Sequence, residues 1–419
     1  MRIKADGEFV RRQNRLLLVE ALRRAAPLAR TELGRETGLS PATVTSITSG
    51  LMAEGILIDQ GQGEEFSVPQ GPGRPLQRLR LNGAVASVLG IEISIDGIGM
   101  TIANYDGEVV ARKLERQSTL TASAAAFGRR LARDAGSFVH EHKDASRRLA
   151  RVGVSIQGIA DARRGSIAWS PAFRARDIPI LEPLRQALGV EATIANDTNL
   201  AAQALISRSQ LASTGSAAVV FVGYGVGMGL IIEGAVYDGP TGAAGEFGHM
   251  IHVPDGPLCL CGRRGCLEAY IGDYGIYRAA NGLDPTSEPP AAAIDAATMA
   301  GIEARARGGD KAARAAYAAA GLALGYCLAR TVAILDLERV TLMGSGMSAY
   351  GLMEPAIRKG LSAGLPSGLQ KSIPIEVWPS VNNALMSEGL MRSTLAAIDQ
   401  RVTGRFGAAH SRPVREAAQ

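Results

Sequence analysis

The residues from Gly245 to Tyr270 read GEFGHMIHVPDGPLCLCGRRGCLEAY and are the most informative stretch of this chain. Three of the four cysteines lie here within eight residues, and a histidine stands ten residues before the first of them. Thiolates and one imidazole at such short spacing are what a tetrahedral zinc site requires. The predicted zinc ligands are His249, Cys259, Cys261 and Cys266. Because protein side chains would fill all four coordination positions, we expect a structural zinc; three reduced cysteines without metal are the alternative.

Two acidic residues flank the cysteine-rich loop. Glu246 precedes it and Glu268 follows it, so a polar pocket can form against the loop that the metal holds. The fourth cysteine, Cys327, lies in an apolar, alanine-rich segment. A thiol in such a segment usually behaves as a small core residue, and we expect no ligand role for it.

Length and composition indicate a soluble protein of several domains. A chain of 419 residues favours two or three domains, each with its own core. Its net charge of +5 and pI near 9.1 permit a nucleic-acid partner without requiring one. We expect no membrane-spanning segment and no signal peptide, because we find no apolar run of the necessary length. Cysteines grouped for metal rather than spread for disulfides favour the reducing cytoplasm.

Residues 1–84 are predicted to form a separate, mainly helical DNA-binding domain. A helical apolar stripe runs from Gln13 to Arg24, and a second, short helix fits Arg30 to Thr37. Gly38 supplies a turn, and the dipeptide Ser40-Pro41 is typical of the start of a further helix. Helix, glycine turn and helix form the helix-turn-helix arrangement.

The third helix, from Ser40 to about Glu54, is predicted to read DNA. Its exposed positions are small or hydroxylic, which suits close approach to phosphates and base edges. Predicted strands at Ile56–Asp59 and Leu76–Leu81 enclose a glycine-rich loop, a wing whose Arg74 would enter a minor groove or hold a phosphate. The candidate DNA-binding residues are Ser40, Pro41, Ala42, Thr43, Thr45, Ser46 and Arg74. Residues 1–80 carry 12 basic and nine acidic side chains, hence 12 − 9 = +3; the alternative is a protein-interaction domain with solvated arginines.

From residue 85 onward strands alternate with helices, which predicts an α/β architecture. A meander of three strands opens the region at Val88–Ile95, Gly99–Asn104 and Val109–Leu114, and a second set of strands starts at Ala217–Val222. Two mixed sheets with helices packed on them suggest two lobes around a cleft. The predicted boundaries are 85–205 for the first lobe, 206–395 for the second lobe with the zinc loop, and 396–419 for a mobile tail without apolar periodicity.

Motifs between residues 88 and 395 resemble the ROK family of repressors, open reading frames and sugar kinases. GEFGHM and CLCGRRGCLE follow one another at the family's spacing. ANDTNLAAQA, from Ala195 to Ala204, resembles the family's Asn-Asp segment, and GYGVGMGLIIEG, from Gly223 to Gly234, its second glycine-rich loop. The resemblance implies a two-lobed, actin-like or hexokinase-like ATPase-type fold, a zinc ion, and a sugar or sugar derivative in the cleft. With a winged helix in front, it implies the repressor branch of the family.

The same resemblance implies a set of sugar-binding residues. Asn196 and Asp197 follow a predicted strand end, where ligands of α/β proteins usually bind. A local alternative is that Asp197 or Thr198 caps the next helix. By resemblance, His249 serves the metal with one ring nitrogen and the sugar with the other. The candidate sugar-binding residues are Asn196, Asp197, Glu246, His249 and Glu268.

The hairpin at Glu92 to Asp96 departs from the kinases of the family. Those kinases have D-x-G-G-T there, with glycines that let backbone N–H groups approach nucleotide phosphates. Here the sequence EISID introduces bulk and a carboxylate that repels phosphate, so we expect no kinase activity and no catalytic residues. The glycines of Gly223–Gly229 and Gly344–Gly346 remain, and we expect them to serve packing. Gln157 and Ala172 also depart from the family's usual residues.

The predicted function is a sugar-responsive transcriptional regulator, a repressor of carbohydrate-metabolism genes. Operator DNA and a sugar effector are the expected partners, and a homodimer or higher homo-oligomer would pair two winged helices on a pseudo-palindrome. One alternative is a sugar kinase with an added DNA-binding domain. Another is a zinc-stabilised sugar-binding or scaffold protein whose helix-turn-helix contacts protein instead of DNA.

Overall fold

The structure is a computed structural model that describes residues 7–60, 77–208, 215–290, 293–366, 373–378 and 384–403. It contains a small N-terminal unit, two α/β lobes and a long last helix. The predicted fold class is therefore confirmed: a mainly helical winged-helix start is followed by two mixed sheets with helices packed on them.

The N-terminal unit combines three helices with a small antiparallel sheet. Its elements are α1 (Gly7–Ala25), β1 (Leu28–Ala29), α2 (Arg30–Thr37), α3 (Pro41–Ala53), β2 (Leu57–Asp59) and β3 (Arg78–Leu81). The strand order is β1-β3-β2. Gly38 takes the left-handed conformation (φ 70°) that ends α2, and the Thr43 backbone N–H donates to the Ser40 hydroxyl (3.2 Å) at the start of α3. The predicted wing loop with Arg74 lies outside the described residues.

The first lobe is built on a five-stranded mixed sheet. Its elements are β4 (Ser87–Ser94), β5 (Gly97–Asn104), β6 (Val109–Glu115), α4 (Ala124–Glu141), β7 (Leu149–Ile156), β8 (Ile159–Asp161), β9 (Ser166–Trp169), β10 (Ile178–Pro179), α5 (Leu181–Leu188) and β11 (Glu191–Asn196). The main sheet has the order β11-β7-β4-β5-β6, in which β4, β5 and β6 form the antiparallel meander and β7 and β11 run parallel to β4. Alternate apolar residues of β4 and β7 pack against α4, so this face forms the core of the lobe.

The second lobe repeats the arrangement with a second five-stranded sheet. Its elements are β12 (Ser216–Val222), β13 (Val226–Ile232), β14 (Ala235–Val236), α7 (Glu268–Ile271), α8 (Asp273–Ala280), α9 (Ala296–Arg307), α10 (Lys311–Leu335), β15 (Arg339–Met343), α11 (Tyr350–Gly364) and β16 (Ile375–Trp378). The sheet order is β14-β13-β12-β15-β16. Helices α10 and α11 pack closely together beside it, and the cysteine-rich loop lies between β14 and α7.

Helix α10 corrects one expectation from the sequence. It is long and apolar enough, by length and composition, to cross a membrane, which contradicts the prediction that no run reaches that length. However, 56% of its most apolar window is buried inside the protein, and Ala320, Leu324 and Leu328 belong to the core of the second lobe. The helix is therefore packed as a core helix.

Two further helices lie where the lobes meet, and one of them overturns a predicted boundary. They are α6 (Asp197–Ser207) and α12 (Ala384–Val402), which pack on each other. Residues 396–402 thus continue α12 and are not a tail, and α12 is not confined to the second lobe. The prediction overlooked a helical apolar spacing, because Met391, Leu395, Ile398 and Val402 recur every three or four residues and pack into one core. Asp399 is buried there as well, against residues far away in sequence. Residues 404–419 lie outside the described residues.

Candidate functional site

The four predicted zinc ligands lie together beside the cleft. The ligand atoms of His249, Cys259, Cys261 and Cys266 all lie within 4.8 Å of one another. His249 ends a single 3-10 turn (Phe247–His249), and the cysteines follow on the next loop. The structure thus brings together residues that are up to 17 positions apart in the sequence.

The distances within this cluster fit a tetrahedral zinc ion. Zinc–sulfur bonds of about 2.3 Å and zinc–nitrogen bonds of about 2.0 Å place two sulfurs about 3.8 Å apart, and a sulfur and a nitrogen about 3.5 Å apart. The Sγ atoms of Cys261 and Cys266 are 3.7 Å apart, and Cys259 Sγ lies 3.6 Å from His249 Nδ1. Cys327 lies apart in the core of the second lobe, where burial raises the pKa of its thiol to about 11.

Glu268 connects the cysteine-rich loop to strand β13. It is buried at the start of α7, and one carboxylate oxygen accepts a hydrogen bond from the Val226 backbone N–H (3.0 Å). The other oxygen accepts from the Tyr274 hydroxyl (3.2 Å) and lies 3.5 Å from Cys259 Sγ. Burial raises the pKa of this carboxyl group. Glu268 lines the pocket, and both of its carboxylate oxygens already have protein partners.

His249 faces the cysteine cluster with one ring nitrogen and Glu246 in the pocket with the other. Its Nδ1 points to Cys259, and its Nε2 lies 3.9 Å from a carboxylate oxygen of Glu246. The indole of Trp169 packs edge-on against the imidazole, with ring centroids 5.0 Å apart. Burial raises the pKa of the Glu246 carboxyl group, and the nearby His249 opposes that rise. This geometry allows one histidine to serve both a metal and a hydroxylated ligand.

Asn196 and Asp197 lie at the junction of β11 and α6 and have different roles: one caps the helix and the other faces the pocket. The Asn196 side-chain oxygen accepts hydrogen bonds from the backbone N–H groups of Thr198 (2.8 Å) and Asn199 (3.1 Å), and its amide donates to the Gly158 carbonyl (2.9 Å). Asn196 is therefore the helix cap, and the alternative that Asp197 or Thr198 caps the helix is wrong. Asp197 is the first residue of α6 and lines the pocket.

The environment of Asp197 makes its carboxyl group unusually basic. Part of the residue remains accessible, but the carboxyl group is surrounded by protein, and this burial raises its pKa to about 7. A hydrogen bond from the Thr198 backbone N–H (2.7 Å) opposes the rise, and the negative charge of Glu246 adds to it. A carboxyl group that titrates near neutral pH can either accept or donate a hydrogen bond to a ligand hydroxyl.

The five predicted sugar-binding residues surround one small pocket between the lobes. Its wall also contains Gln157, Trp169 and Phe221, and the cavity holds about 40 Å³. The carboxylates and the imidazole give the pocket the chemistry for a polyol.

Several polar groups of the hairpin between β4 and β5 are paired with side chains of the protein. The Ile95 backbone N–H donates to the Gln157 side-chain oxygen (3.1 Å), and the Asp96 backbone N–H donates to the Ser94 hydroxyl (3.2 Å). The Glu92 carboxylate accepts a hydrogen bond from the Ser387 hydroxyl of α12 (2.5 Å). The backbone N–H groups of Ile95 and Asp96 are therefore both paired within the protein.

The second glycine-rich loop is held by close packing against α6. A Cβ atom at Gly229 would lie only 2.7 Å from the Ala202 Cβ, so β13 and α6 approach more closely than a side chain allows. Tyr224 is buried against Tyr274, and its hydroxyl donates to the Pro290 carbonyl. The close approach at Gly229 supports the prediction that the glycines serve packing.

The predicted DNA-binding residues other than Arg74, which lies outside the described residues, share one face at the start of α3. Ser40, Pro41, Ala42, Thr45 and Ser46 are exposed, whereas Val44, Ile47 and Leu51 on the opposite face of α3 are buried. Thr43 is half-buried, and its hydroxyl hydrogen-bonds to that of Ser40 (2.9 Å). Within the described part of the N-terminal unit, this face of α3 thus carries small side chains, several of them hydroxylic.

Several residues at or near the pocket were not among the predicted site residues. Trp169, Gln157 and Tyr274 contact the pocket or its supporting shell, but a tryptophan or tyrosine in a strand or helix usually indicates only core packing. For Gln157, the sequence offered one signal of a place in the site: it differs from the residue usual at this position in the family. Ala172, the other departure, is buried and donates its backbone N–H to the Ser170 hydroxyl (3.1 Å).

Comparison with known proteins places the chain in a family. The ROK family matches residues 88–385, which is more than half of the chain. The protein belongs to the ROK family. It is 27% identical over 275 residues to the xylose repressor of Bacillus subtilis (strain 168). This match covers 65% of this chain and 69% of the repressor. It is 22% identical over 371 residues to the DNA-binding transcriptional dual regulator NagC of Escherichia coli (strain K12), covering 88% of this chain and 89% of that protein.

A solved structure shows the same fold along almost the whole chain. A ROK family transcriptional regulator, described as a homolog of the E. coli MLC protein, superposes with a TM-score of 0.72 and 20% sequence identity. The match covers 95% of this chain and all of that one, so it includes the N-terminal unit as well as both lobes. At this identity the likeness establishes the fold of this ROK protein.

Proposed function

We propose that this ROK protein is a sugar-responsive, DNA-binding repressor of genes for carbohydrate metabolism. One observation carries the proposal: the same chain joins a winged-helix unit with an uncovered polar recognition face to a pocket walled by three carboxylates. The names of the related repressors support this assignment, because their similarity extends over most of the chain.

Helix α3 is the element that enters the major groove. Ser40, Ala42, Thr45 and Ser46 can approach phosphates and base edges because their side chains are short. Pro41 and the half-buried Thr43 complete the start of the helix. A homodimer would place two copies of α3 on the halves of a pseudo-palindromic operator in the cytoplasm.

The effector is a monosaccharide or a derivative of one, bound by Asp197, Glu246 and His249. Carboxylates accept hydrogen bonds from hydroxyl groups, and a polyol supplies several hydroxyls from one face. Because residues of both lobes line this pocket, a bound sugar favours the arrangement of the lobes in which all of them reach it. The sugar changes DNA affinity only to the extent that it binds the two arrangements differently.

A structural zinc ion shapes the floor of this pocket. His249, Cys259, Cys261 and Cys266 supply the ligands, and the donor set leaves no open position for chemistry. Zinc would fix the imidazole orientation, so that its other nitrogen stays directed at Glu246 and the ligand. Asn196 and Glu268 contribute by holding α6 and the cysteine-rich loop in place.

We infer no kinase activity for this pocket. The backbone N–H groups of Ile95 and Asp96 are paired with protein side chains, and the Glu92 carboxylate is bonded to Ser387. A nucleotide phosphate would have to break these bonds and then face the Asp96 carboxylate. This arrangement supports a pocket that binds a sugar without phosphorylating it.

A sugar kinase is the second candidate, because one observation favours it. A carboxyl group with a pKa of about 7, as at Asp197, is suited to removing a proton from a sugar hydroxyl at neutral pH. The two candidates separate in an ATP-coupled assay with a panel of monosaccharides. ATP turnover that Asp197→Asn abolishes would establish the kinase, whereas the repressor predicts no turnover.

DNA binding is the test of the proposed function. Fluorescence anisotropy should show saturable binding to a labelled fragment from the upstream region of the protein's own gene, weakening steeply between about 50 and 200 mM salt. Addition of D-xylose or N-acetyl-D-glucosamine, with D-glucose and the corresponding sugar phosphates alongside, should change the affinity for one class. Equal affinity for this fragment and an unrelated duplex of the same length would contradict the proposal.

A further inference from the structure

A buried ion pair joins the N-terminal unit to the last helix. Arg23, near the end of α1, donates from Nε to one carboxylate oxygen of Asp399 (2.8 Å) and from Nη2 to the other (2.7 Å). Only 8% of the Arg23 side chain and 1% of the Asp399 side chain are exposed. Two-point contact of this kind fixes orientation as well as distance. The two residues are 376 positions apart in the sequence.

The first lobe supplies the third member of this contact. The Tyr105 hydroxyl donates to Asp399 (2.7 Å), and the Tyr105 carbonyl accepts a hydrogen bond from Arg23 Nη1 (2.9 Å). The guanidinium also lies 4.9 Å from the centre of the tyrosine ring. Burial and the neighbouring Asp399 raise the pKa of the Tyr105 hydroxyl, so it remains a donor. Three parts of the chain therefore meet at one fully paired polar contact, here called the Arg23–Asp399–Tyr105 lock.

Helix α12 is the only element in the described residues that we find packed into the cores of both the second lobe and the N-terminal unit. At its start, Leu385 and Met386 belong to the apolar cluster of the second-lobe sheet. In its middle, Leu390 lies against Gly90 and Gly153 of the first-lobe sheet. At its end, Leu395 and Ile398 belong to the core of the N-terminal unit. At 19 residues it is about 28 Å long and stiff.

The pocket is connected to α12 through helix α6. Asp197 begins α6, and α6 packs along α12 so closely that Gly389 has no room for a Cβ beside the Leu200 carbonyl. At the same end of α12, the Ser387 hydroxyl bonds to Glu92. A change in α6 or in the angle between the lobes must therefore move α12 or break these contacts.

From this arrangement we infer that the Arg23–Asp399–Tyr105 lock couples the sugar pocket to the DNA-binding unit. The lock fixes the N-terminal unit to α12, so the two move together. When the lobes open and α12 shifts, α3 therefore changes its position relative to DNA. This coupling role rests on the proposed function, because it concerns how a sugar would alter DNA affinity. Arg23 and Asp399 are buried positioning residues, and neither lines the sugar pocket.

The test compares the effect of sugar on DNA affinity in lock variants of the full chain. Asp399→Asn keeps the shape of the side chain and removes its charge; Tyr105→Phe removes one hydrogen bond only. With D-xylose or N-acetyl-D-glucosamine as the probe, the ratio of DNA Kd values with and without sugar should fall towards 1 in Asp399→Asn and to an intermediate value in Tyr105→Phe. Sugar Kd, measured without DNA, should stay within about twofold of the wild-type value.

A matched control lies outside the route from pocket to DNA. Glu354→Gln removes a carboxylate from an ion pair with Arg358 on the surface of α11 and should keep the full wild-type ratio. A wild-type ratio in Asp399→Asn, or in Tyr105→Phe if the first variant does not fold, overturns the coupling role.

A second measurement keeps the test independent of the sugar. If neither probe affects the wild-type protein, the proposed effector fails, and hydrogen exchange of the sugar-free protein tests the lock. Backbone amides of residues 16–25 and 395–402 should exchange at least tenfold faster in Asp399→Asn, while those of α4 remain unchanged. Unaltered exchange at both segments would overturn the lock itself.

Discussion

At the scale of single residues, the four cysteines provide an internal comparison for the metal site. Cys261→Ser removes one of the four proposed ligands, whereas Cys327→Ala changes a thiol in the core of the second lobe. We expect Cys261→Ser to lose zinc and about 3 kcal/mol of stability, which lowers Tm by roughly 6–12 °C for a lobe of this size. Zinc analysis of the purified protein and a thermal melt check this. Cys327→Ala should retain zinc, and equal zinc content in both variants would contradict the assignment.

The Asp197 carboxyl group makes a second prediction, on pH. Its folded pKa of about 7 lies above the ordinary value of about 3.9, so the folded state binds the proton more tightly than the unfolded state. Its contribution to stability is therefore fully present below about pH 4 and is lost as pH rises towards 7. Asp197→Asn removes this dependence. The Tm of Asp197→Asn minus that of the wild type should be larger at pH 8 than at pH 5.5, and a constant difference would contradict the buried carboxyl group.

The residues of the site were predictable where their chemistry is local. His249 and the cysteines stand within one short stretch, and their donor atoms alone indicate zinc. The helix cap was harder, because Asn196, Asp197 and Thr198 are all suitable caps and only the backbone geometry selects Asn196. Trp169 was not predicted for a different reason. Its contact with His249 joins residues that are 80 positions apart in the sequence, and only the fold brings them together.

At the scale of elements, helix α3 carries the DNA prediction. Ala42 is exposed in the first turn of α3, where a negative charge favours the helix itself. Ala42→Glu should therefore leave the fold intact while its carboxylate repels DNA phosphates, and we expect at least a tenfold loss of DNA affinity. Anisotropy titration at a fixed salt concentration measures this loss.

A matched substitution on another helix serves as the control for Ala42→Glu. Ala300→Glu introduces the same side chain at an exposed position of α9 in the second lobe. It should bind DNA like the wild type. If both variants or neither lost affinity, the recognition face would not be on α3.

Elements with local start and stop signals were predicted, and those without them were not. Ser40, Pro41 and Gly38 mark the helix-turn-helix in the sequence, and the structure uses them as cap, first-turn proline and left-handed end. The last turns of α12 have no such signal. Asp399 looks like a solvated acid in the sequence, and only its distant partners Arg23 and Tyr105 explain its burial.

At the scale of the whole molecule, the cores are more continuous than a division at residue 84 suggests. The core of the N-terminal unit includes Val88, Ala103 and Tyr105 of the first lobe together with Leu395 and Ile398 of α12. Because this apolar core is shared, a movement of the first lobe or of α12 also moves the N-terminal unit. The fold thereby offers a physical basis for a sugar effect on DNA binding that needs no contact between the two ligands.

The shared core leads to a prediction about the isolated N-terminal unit. A fragment of residues 1–84 loses the buried partners beyond its end, including Tyr105 and Ile398, and leaves Arg23 without Asp399. Each large apolar side chain that loses its burial costs about 1.5–3 kcal/mol, and a small domain has only about 5–15 kcal/mol in total. We therefore expect the fragment to melt broadly and at least 15 °C below the full chain in circular dichroism, with weaker DNA binding. A sharp melt at the temperature of the full chain would show that the N-terminal unit is independent, and that α12 is attached to it without stabilising it.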